Sequence, residues 1–517
     1  MFGYFIDINQ LFVTILLLSL LTIYSYVKYK LSYWNKRGVK YPPIHWIFGN
    51  FKDTVMFKKP PGVVLQDIYN FADRDDPYIG FYIFHKPAIM LRDMTLIKQI
   101  MIKDFDVFSD RMFGGNNEKD SVGLINLLSI NQPRWKYLRS KMTPSLTGQK
   151  LKKMIPLMLE CCNPMLKYID DKPANTDGWK ELDLKTLSSR YSTDVISSLA
   201  FGIKTNSFDE NDTAFWEAGQ KILSGPKRGI ILLILFFLPE LSPFIEPLTK
   251  APAKFFRRVF WESMNNREKV RSKRGDLIDS LLALKNGEQM SNFMFEGDNL
   301  LAQAVAFYVA GFEASSTAIA FILYELASHP EYEERLYNEI KSVVEKNELT
   351  MESINEMTFL DAVLEETLRL YPPLPVVDRI ALRNYKLPGT DLIIKKGTPV
   401  YISVNGTNRD NRYFSDPIKF NPLRKKNEEY NFTGCLAFGI GPRSCIGQRL
   451  GILIVKIAVI TLVMHYKMSF KMDKANILNP LTIFTNAADG VHVHLKRPRY
   501  KIRRYEKRYL SIKLLFS

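Results

Sequence analysis

Four cysteines and six histidines are spread over 517 residues. Cys161 and Cys162 are adjacent, while Cys435 and Cys445 stand far off. That spacing gives neither a disulfide framework nor a zinc site, and it fits a reducing compartment. Also missing is a G-x-G-x-x-G fingerprint after a strand. The nearest string, Gly439-x-Gly441-x-x-Ser444, lacks the third glycine. Nicotinamide or flavin chemistry of that kind therefore belongs to another protein. No nucleic-acid motif accompanies the net charge of +17. Much of the excess lies in the tail, where Lys496 to Lys513 holds nine Lys or Arg and one Glu. A solvated or lipid-touching tail accounts for it, and no nucleic-acid partner is expected.

Charge is absent again from Leu11 to Val27, seventeen residues reading LFVTILLLSLLTIYSYV. With weakly polar flanks this approaches the ~20 residues that span a bilayer. Only Asp7 precedes it, whereas Lys28, Lys30, Lys36, Arg37 and Lys40 follow. The positive-inside rule then puts the N-terminus in the lumen and the body in the cytosol. Neither a basic leader with a small-residue cleavage site nor an Arg-rich presequence is present, so the expectation is an uncleaved endoplasmic reticulum anchor. Tyr24, Tyr26, Tyr29, Tyr33 and Trp34 suit an interfacial belt. Residues 1–30 read as anchor, 31–45 as a basic, Pro-rich linker hinged at Tyr41-Pro42-Pro43, 46–496 as one catalytic domain and 497–517 as a basic tail. Three sequons, at Asn211, Asn405 and Asn431, should stay unmodified in a cytosolic body.

The most informative stretch is Phe438–Gly447, FGIGPRSCIG. Gly439, Gly441 and Pro442 make a tight loop, Arg443 precedes Cys445 by two, and a helix-length apolar run, Leu450–Val463, follows. A helix dipole and a neighbouring cation favour a thiolate, the form a soft-metal ligand takes. Upstream, Asn131–Arg139 opens a helix with Trp135 and Arg139 one turn apart. Asn299–Ala327 is apolar nearly all round and should be central and buried. Within it Ala310-Gly311 leaves space beside the backbone, and Glu313 is costly unless paired or functional. Phe359–Leu370 carries Glu366 and Arg369 on one face and stops at Tyr371-Pro372-Pro373.

FGIGPRSCIG resembles the haem-binding signature of the cytochrome P-450 family, F-x-x-G-x-R-x-C-x-G, at every fixed position. Glu366 and Arg369 resemble the family's E-x-x-R, Trp135 and Arg139 its W-x-x-x-R, and AGFEASSTA its oxygen-binding helix. Asn421-Pro422-Leu423-Arg424 keeps the Pro and Arg of the segment that completes the E-x-x-R brace. AGFEASSTA, ETLRLYPPLPV and YKLPGTDLII look most like the insect microsomal branch that oxidises xenobiotics.

The resemblance implies a mainly α fold with a small β region, plus the N-terminal transmembrane helix. It implies haem b (iron protoporphyrin IX) ligated by Cys445, with Trp135, Arg139, Arg379, Phe438, Arg443 and Gly447 around it. Glu366, Arg369 and Arg424 would brace the thiolate side. Across the ring, Ala310, Gly311, Glu313, Ser315 and Thr317 would handle dioxygen and protons, because Ala314 stands where the family places threonine. Phe307, Val376, Val377 and Phe484 would meet substrate. Ile230–Leu238, too short to cross a bilayer, reads as a buried helix or as a patch resting in the membrane interface, and an anchored enzyme favours the patch.

The activity so implied is a microsomal monooxygenase that inserts one oxygen atom of O2 into lipophilic substrates. Its electrons would come from NADPH through NADPH–cytochrome P-450 reductase, with cytochrome b5 as a second donor, and Arg443, Arg449, Lys425 and Lys426 would form the docking face. Ala314 also admits a haem-thiolate isomerase or dehydratase acting on peroxides. A non-enzymatic haem or lipophile carrier is the third reading.

Overall fold

A computed structural model describes residues 8–114, 119–290, 293–424, 436–470 and 478–497. The basic tail from 498 on, Lys425, Lys426, Cys435 and the Asn431 sequon lie outside them. The longest helix, Gly297–Ser328, matches the apolar stretch expected there. At 1.5 Å per residue it runs for about 48 Å. It packs along the helices Leu184–Ile196, Gln448–His465 and Thr358–Leu370, and these form the scaffold of the main core.

A four-stranded sheet lies to one side, in the spatial order Tyr78–Ile83, Lys86–Leu91, Pro399–Ser403, Val376–Ile380. Its first pair is a hairpin, and Val376–Ile380 runs antiparallel to Pro399–Ser403. A smaller sheet joins Lys180–Asp183, His492–Lys496 and Lys467–Ser469. His492 and His494 sit on it, and no group of three potential metal-ligating His, Cys, Asp or Glu occurs among the described residues.

Among the described residues, three helices are long and apolar enough to cross a membrane. Gly297–Ser328 and Gln448–His465 are mostly buried inside the protein, which assigns them to the core. The stretch Asn9–Arg37 is only 6% buried and is the candidate span, where the sequence led one to expect it. Its end corrects two expectations. Trp34 is 1% exposed and belongs to the body, not to an interfacial belt. Its indole N–H donates to Phe81 O at 3.0 Å, and its backbone N–H donates to the Tyr82 hydroxyl, which donates to Leu31 O at 2.7 Å. A Cβ at Gly80 would lie 2.7 Å from the Trp34 ring, so the strand needs glycine to seat it. Tyr41 packs edge-on to Tyr82, and Gly80 N–H donates to Lys40 O at 2.9 Å. The linker is thus fastened to the sheet, not a free hinge.

The run Ile230–Leu238 is a second correction about membrane contact. Most of it lies in the helix Pro226–Phe237, whose Ile231, Leu232, Leu235, Phe236 and Phe237 are buried. Ile230 is half-exposed, and the prominent apolar side chain nearby is Phe244, 84% exposed.

Candidate active site

Backbone bonds close the loop ahead of helix Gln448–His465. Cys445 N–H donates to Phe438 O at 2.8 Å, Ser444 N–H to Gly441 O at 3.0 Å and Gly439 N–H to Leu436 O at 2.8 Å. Gly441 has φ +76°, and a Cβ there would fall 2.1 Å from the Met101 carbonyl oxygen. Only glycine fits. Gly447 is the N-cap, so Cys445 stands outside the helix proper. The cysteine is accessible to solvent, yet protein packs around it, so it opens onto interior space.

Burial pushes the Cys445 thiol up, against the pull of the Gly447 N–H, Arg139 and Arg111. This corrects the expectation that the dipole and Arg443 favour a free thiolate. Arg443 turns away from the sulfur. Its guanidinium donates to Ser109 O at 2.8 Å and Ile130 O at 2.9 Å, and stacks 4.4 Å from the Trp135 ring. At 4% exposed it cannot be part of a docking surface either. Loss of the thiol proton belongs with metal ligation.

Four arginines gather beside the loop. Arg139 donates to Ser444 O at 2.8 Å, and Arg111 to Arg443 O at 3.3 Å. Arg379 is 1% exposed and donates to Asp378 O at 2.7 Å. Two carboxylates answer them: Asp378 lies 3.6 Å from Arg111, and Asp110 lies 3.6 Å from Arg443. Two cations remain in excess. Burial and the other arginines depress Arg379 well below the ordinary guanidinium range and Arg443 to about 9. The Nε atoms of Arg111 and Arg379 are buried without a hydrogen-bond partner. Such groups are expensive unless an anion answers them. A haem, with two propionates and an iron seeking a soft ligand, fits this donor set.

One stripe of the central helix is less packed than the rest. Phe307, Ala310 and Ala314 follow the i, i+3, i+7 spacing of a single face, and Ala310 and Ala314 are exposed in the middle of an otherwise mostly buried helix. The stripe has no hydroxyl. Ser315 and Thr317 are fully packed, and Thr317 accepts from Lys185 Nζ at 2.9 Å. Neither supplies the hydroxyl that Ala314 leaves missing where the resemblance places threonine. Gly311 is corrected as well: a Cβ would strike Ile196 at 2.5 Å, so the glycine makes room for a neighbouring helix. Glu313 is 5% exposed and accepts from Lys185 Nζ at 3.1 Å and Asn486 Nδ2 at 2.7 Å.

Behind the loop, Arg369 grips Glu366 with two bonds of 2.7 Å and donates to Asn408 O at 2.8 Å and Pro417 O at 2.5 Å. Arg424 Nη2 reaches Glu366 Oε1 at 3.3 Å, and Asn421 N–H donates to the same oxygen at 3.0 Å. The three residues expected to brace the site do meet.

Val376 and Val377 separate across the pleat. Val376 joins the main core, whereas Val377 packs with Ile89, Ile402 and Ala381 in a second cluster on the other face. The expected substrate role of Val377 is therefore withdrawn. Phe484 is half-buried on a segment pinned by Thr485, whose hydroxyl donates to Pro372 O at 2.5 Å. Asn486, two residues on, ties that segment to Glu313.

Sequence reasoning missed Arg111, Lys185 and Asn486. Arg111 had a faint signal, charge inside the apolar run Phe108-Ser-Asp-Arg-Met-Phe113. Lys185 and Asn486 had none, because each matters only through a contact more than a hundred residues away.

The profile of the family described as Cytochrome P450 matches residues 39–493. Among curated proteins, the chain is 38% identical over 482 residues to "Cytochrome P450 6k1" of Blattella germanica, covering 88% of this chain and 90% of that one. It is 34% identical over 516 residues to "Probable cytochrome P450 6g2" of Drosophila melanogaster, covering 94% and 99%. It is likewise 34% identical over 503 residues to "Cytochrome P450 6B2" of Helicoverpa armigera, covering 94% and 98%. With a cysteine loop, an arginine cluster and a full-length match all agreeing, the chain belongs to the cytochrome P450 family, in its insect family-6 branch, and is a haem-thiolate monooxygenase.

Proposed function

We propose that this protein is an endoplasmic reticulum monooxygenase of lipophilic compounds, anchored by Ile8–Leu31, with its body in the cytosol. It receives electrons from NADPH through the membrane-bound reductase, with cytochrome b5 as an auxiliary donor. The observation that carries the reading is the gathering of Arg111, Arg139, Arg379 and Arg443 beside the Cys445 loop, the last two buried and the first two half-buried, with Asp110 and Asp378 as their carboxylate partners among the described residues. Cys445 would ligate the iron of a haem b in such a site, and Arg111, Arg139 and Arg379 would answer its propionates. When bound, a thiolate-ligated haem supplies O–O cleavage.

The protein's own residues do the rest. The apolar stripe Phe307–Ala314, with Phe484, excludes water and presents carbon surface to a lipophilic substrate. Glu313 sets a carboxylate one turn from Ala310, steadied by Lys185 and Asn486. The Glu366–Arg369–Arg424 brace keeps the cysteine side rigid.

The test is a carbon monoxide difference spectrum of the reduced protein, followed by a substrate screen with reductase and NADPH. A red-shifted thiolate band and NADPH-dependent oxygenated product are expected. Loss of the band on Cys445→Ser with retained folding is the matching control. Product formed from peroxides with no electron donor would instead support a haem-thiolate isomerase.

A further inference from the structure

Where the anchor helix meets the body, a cleft of about 320 Å³ opens between Tyr24, Val27, Lys28 and Leu31 on the helix and Tyr41 and Trp46 on the body. Its volume is at the small end of ligand pockets, ~300–1,000 Å³. That suffices for a headgroup and the first methylenes of a chain. Trp46 is 58% exposed and Tyr24 57%, so two aromatic walls are uncovered. Above the cleft the helix continues as bare apolar surface, with Leu17 and Leu21 each 60% exposed.

The charge around this cleft has one sign. No Asp or Glu occurs between Asp7 and Asp53, while six Lys or Arg do. Several of those cations are engaged elsewhere. Lys40 pairs with Asp73 and Asp76, Lys36 lies 4.5 Å over the Tyr29 ring, and Arg37 lies 3.6 Å over the Tyr33 ring. Lys28 has no carboxylate within ion-pair distance among the described residues, and it lines the cleft beside Ser32 and Asn35. Trp34 and Tyr82 lock the end of the helix to the sheet, so both walls keep their spacing.

We propose that this cleft is a binding site for one anionic phospholipid. Lys28 and Asn35 take the headgroup phosphate, Trp46 and Tyr24 flank the glycerol, and the acyl chains run along Leu17–Leu21. The proposal rests on the reading of Ile8–Leu31 as a membrane span. An ammonium and a side-chain amide suit a phosphate oxygen, and Trp and Tyr are the residues that settle at headgroup level. The lipid thereby becomes part of the joint that sets how the body sits on the bilayer.

The test uses the full chain in phosphatidylcholine nanodiscs containing a minor fraction of phosphatidylserine. Lipid retained after mild detergent extraction is counted by mass spectrometry. About one retained phosphatidylserine per protein is expected. Lys28→Gln should weaken retention about fivefold, the effect of one cation worth ~1 kcal/mol at a membrane surface. Trp46→Ala should weaken it too, while Lys30→Gln, with the same charge change, should not. Equal losses for Lys28→Gln and Lys30→Gln would overturn the site in favour of diffuse attraction. Equal retention of phosphatidylcholine would overturn its anionic preference. Failure to enter nanodiscs at all would sink the span reading instead, and that outcome is seen before any lipid is counted.

Discussion

Lys185 Nζ lies 3.1 Å from Glu313 Oε1, joining two helices across the middle of the molecule. The same ammonium donates to Ser316 Oγ at 2.8 Å and Thr317 Oγ1 at 2.9 Å, so it gathers three polar side chains of the central helix. Burial pulls the Lys185 pKa down, and Glu313 works against that pull. The carboxylate and its cation stabilise each other's charged form in a place where either alone is costly.

Lys185→Met should therefore lower stability by about 2 kcal/mol, since it strands a buried carboxylate with one amide donor. Turnover should fall about tenfold or more with haem content unchanged, because Glu313 loses its fixed position. Adding Glu313→Gln should restore much of the stability and none of the turnover. Chemical denaturation and NADPH-coupled product formation on the four proteins of the cycle decide it.

The brace behind the cysteine loop predicts unequal losses. Arg369→Ala leaves Glu366 buried and strips three backbone carbonyls of their donor, for a cost of about 3–5 kcal/mol and loss of haem retention. Arg424→Ala removes contacts to Glu366 of only 3.3–3.4 Å, together with bonds to the Ser415, Asp416 and Lys419 carbonyls near the surface, and should cost about 1 kcal/mol. Haem content per purified protein, read by absorbance, should rank wild type, Arg424→Ala, Arg369→Ala.

Trp34 should matter to the body as much as to the anchor. Trp34→Ala empties a fully buried site and should cost about 3–5 kcal/mol, an effect visible in thermal unfolding of the detergent-solubilised protein. Gly80→Ala should be destabilising by steric conflict with the same ring. A freely hinged linker would leave unfolding of the body unchanged in both variants.

Glu333 predicts a pH dependence. Its carboxyl is buried, accepts the Met468 N–H at 2.8 Å and is pushed up to about 7. The folded state thus holds a proton that the unfolded chain releases near pH ~4.5, so this group's contribution is full at low pH. Stability should fall as the pH rises toward about 7 and level off above it. Glu333→Gln keeps an acceptor for Met468 and should flatten that slope in melting temperatures measured from about pH 5 to about pH 8.

Glycosylation can report the topology only at one of the two described sequons. Asn405 is 3% exposed and would escape modification on either side of the membrane, whereas Asn211 is exposed. Expression in cells with a glycosidase-sensitive gel shift should show no glycan on Asn211. A glycan there would place the body in the lumen.

Local pattern sufficed for the parts of this protein that are local. The apolar span, the central helix, the hairpin and the loop FGIGPRSCIG are each written in consecutive residues, because helix period, strand alternation and glycine geometry act over short distances. The brace was legible too, since Glu366 and Arg369 sit one turn apart. What lay beyond reach was which face each residue takes and what meets it there. Val377 points away from the cavity, Arg443 turns from the cysteine it precedes, and Gly311 serves Ile196. Lys185 and Asn486 find Glu313 across 128 and 173 residues of chain. The sequence by itself determined the elements and the glycine-rich loop that presents Cys445. Only the tertiary structure decided the electrostatics around them, because the sign and distance of every neighbouring charge depend on packing between segments far apart in the chain.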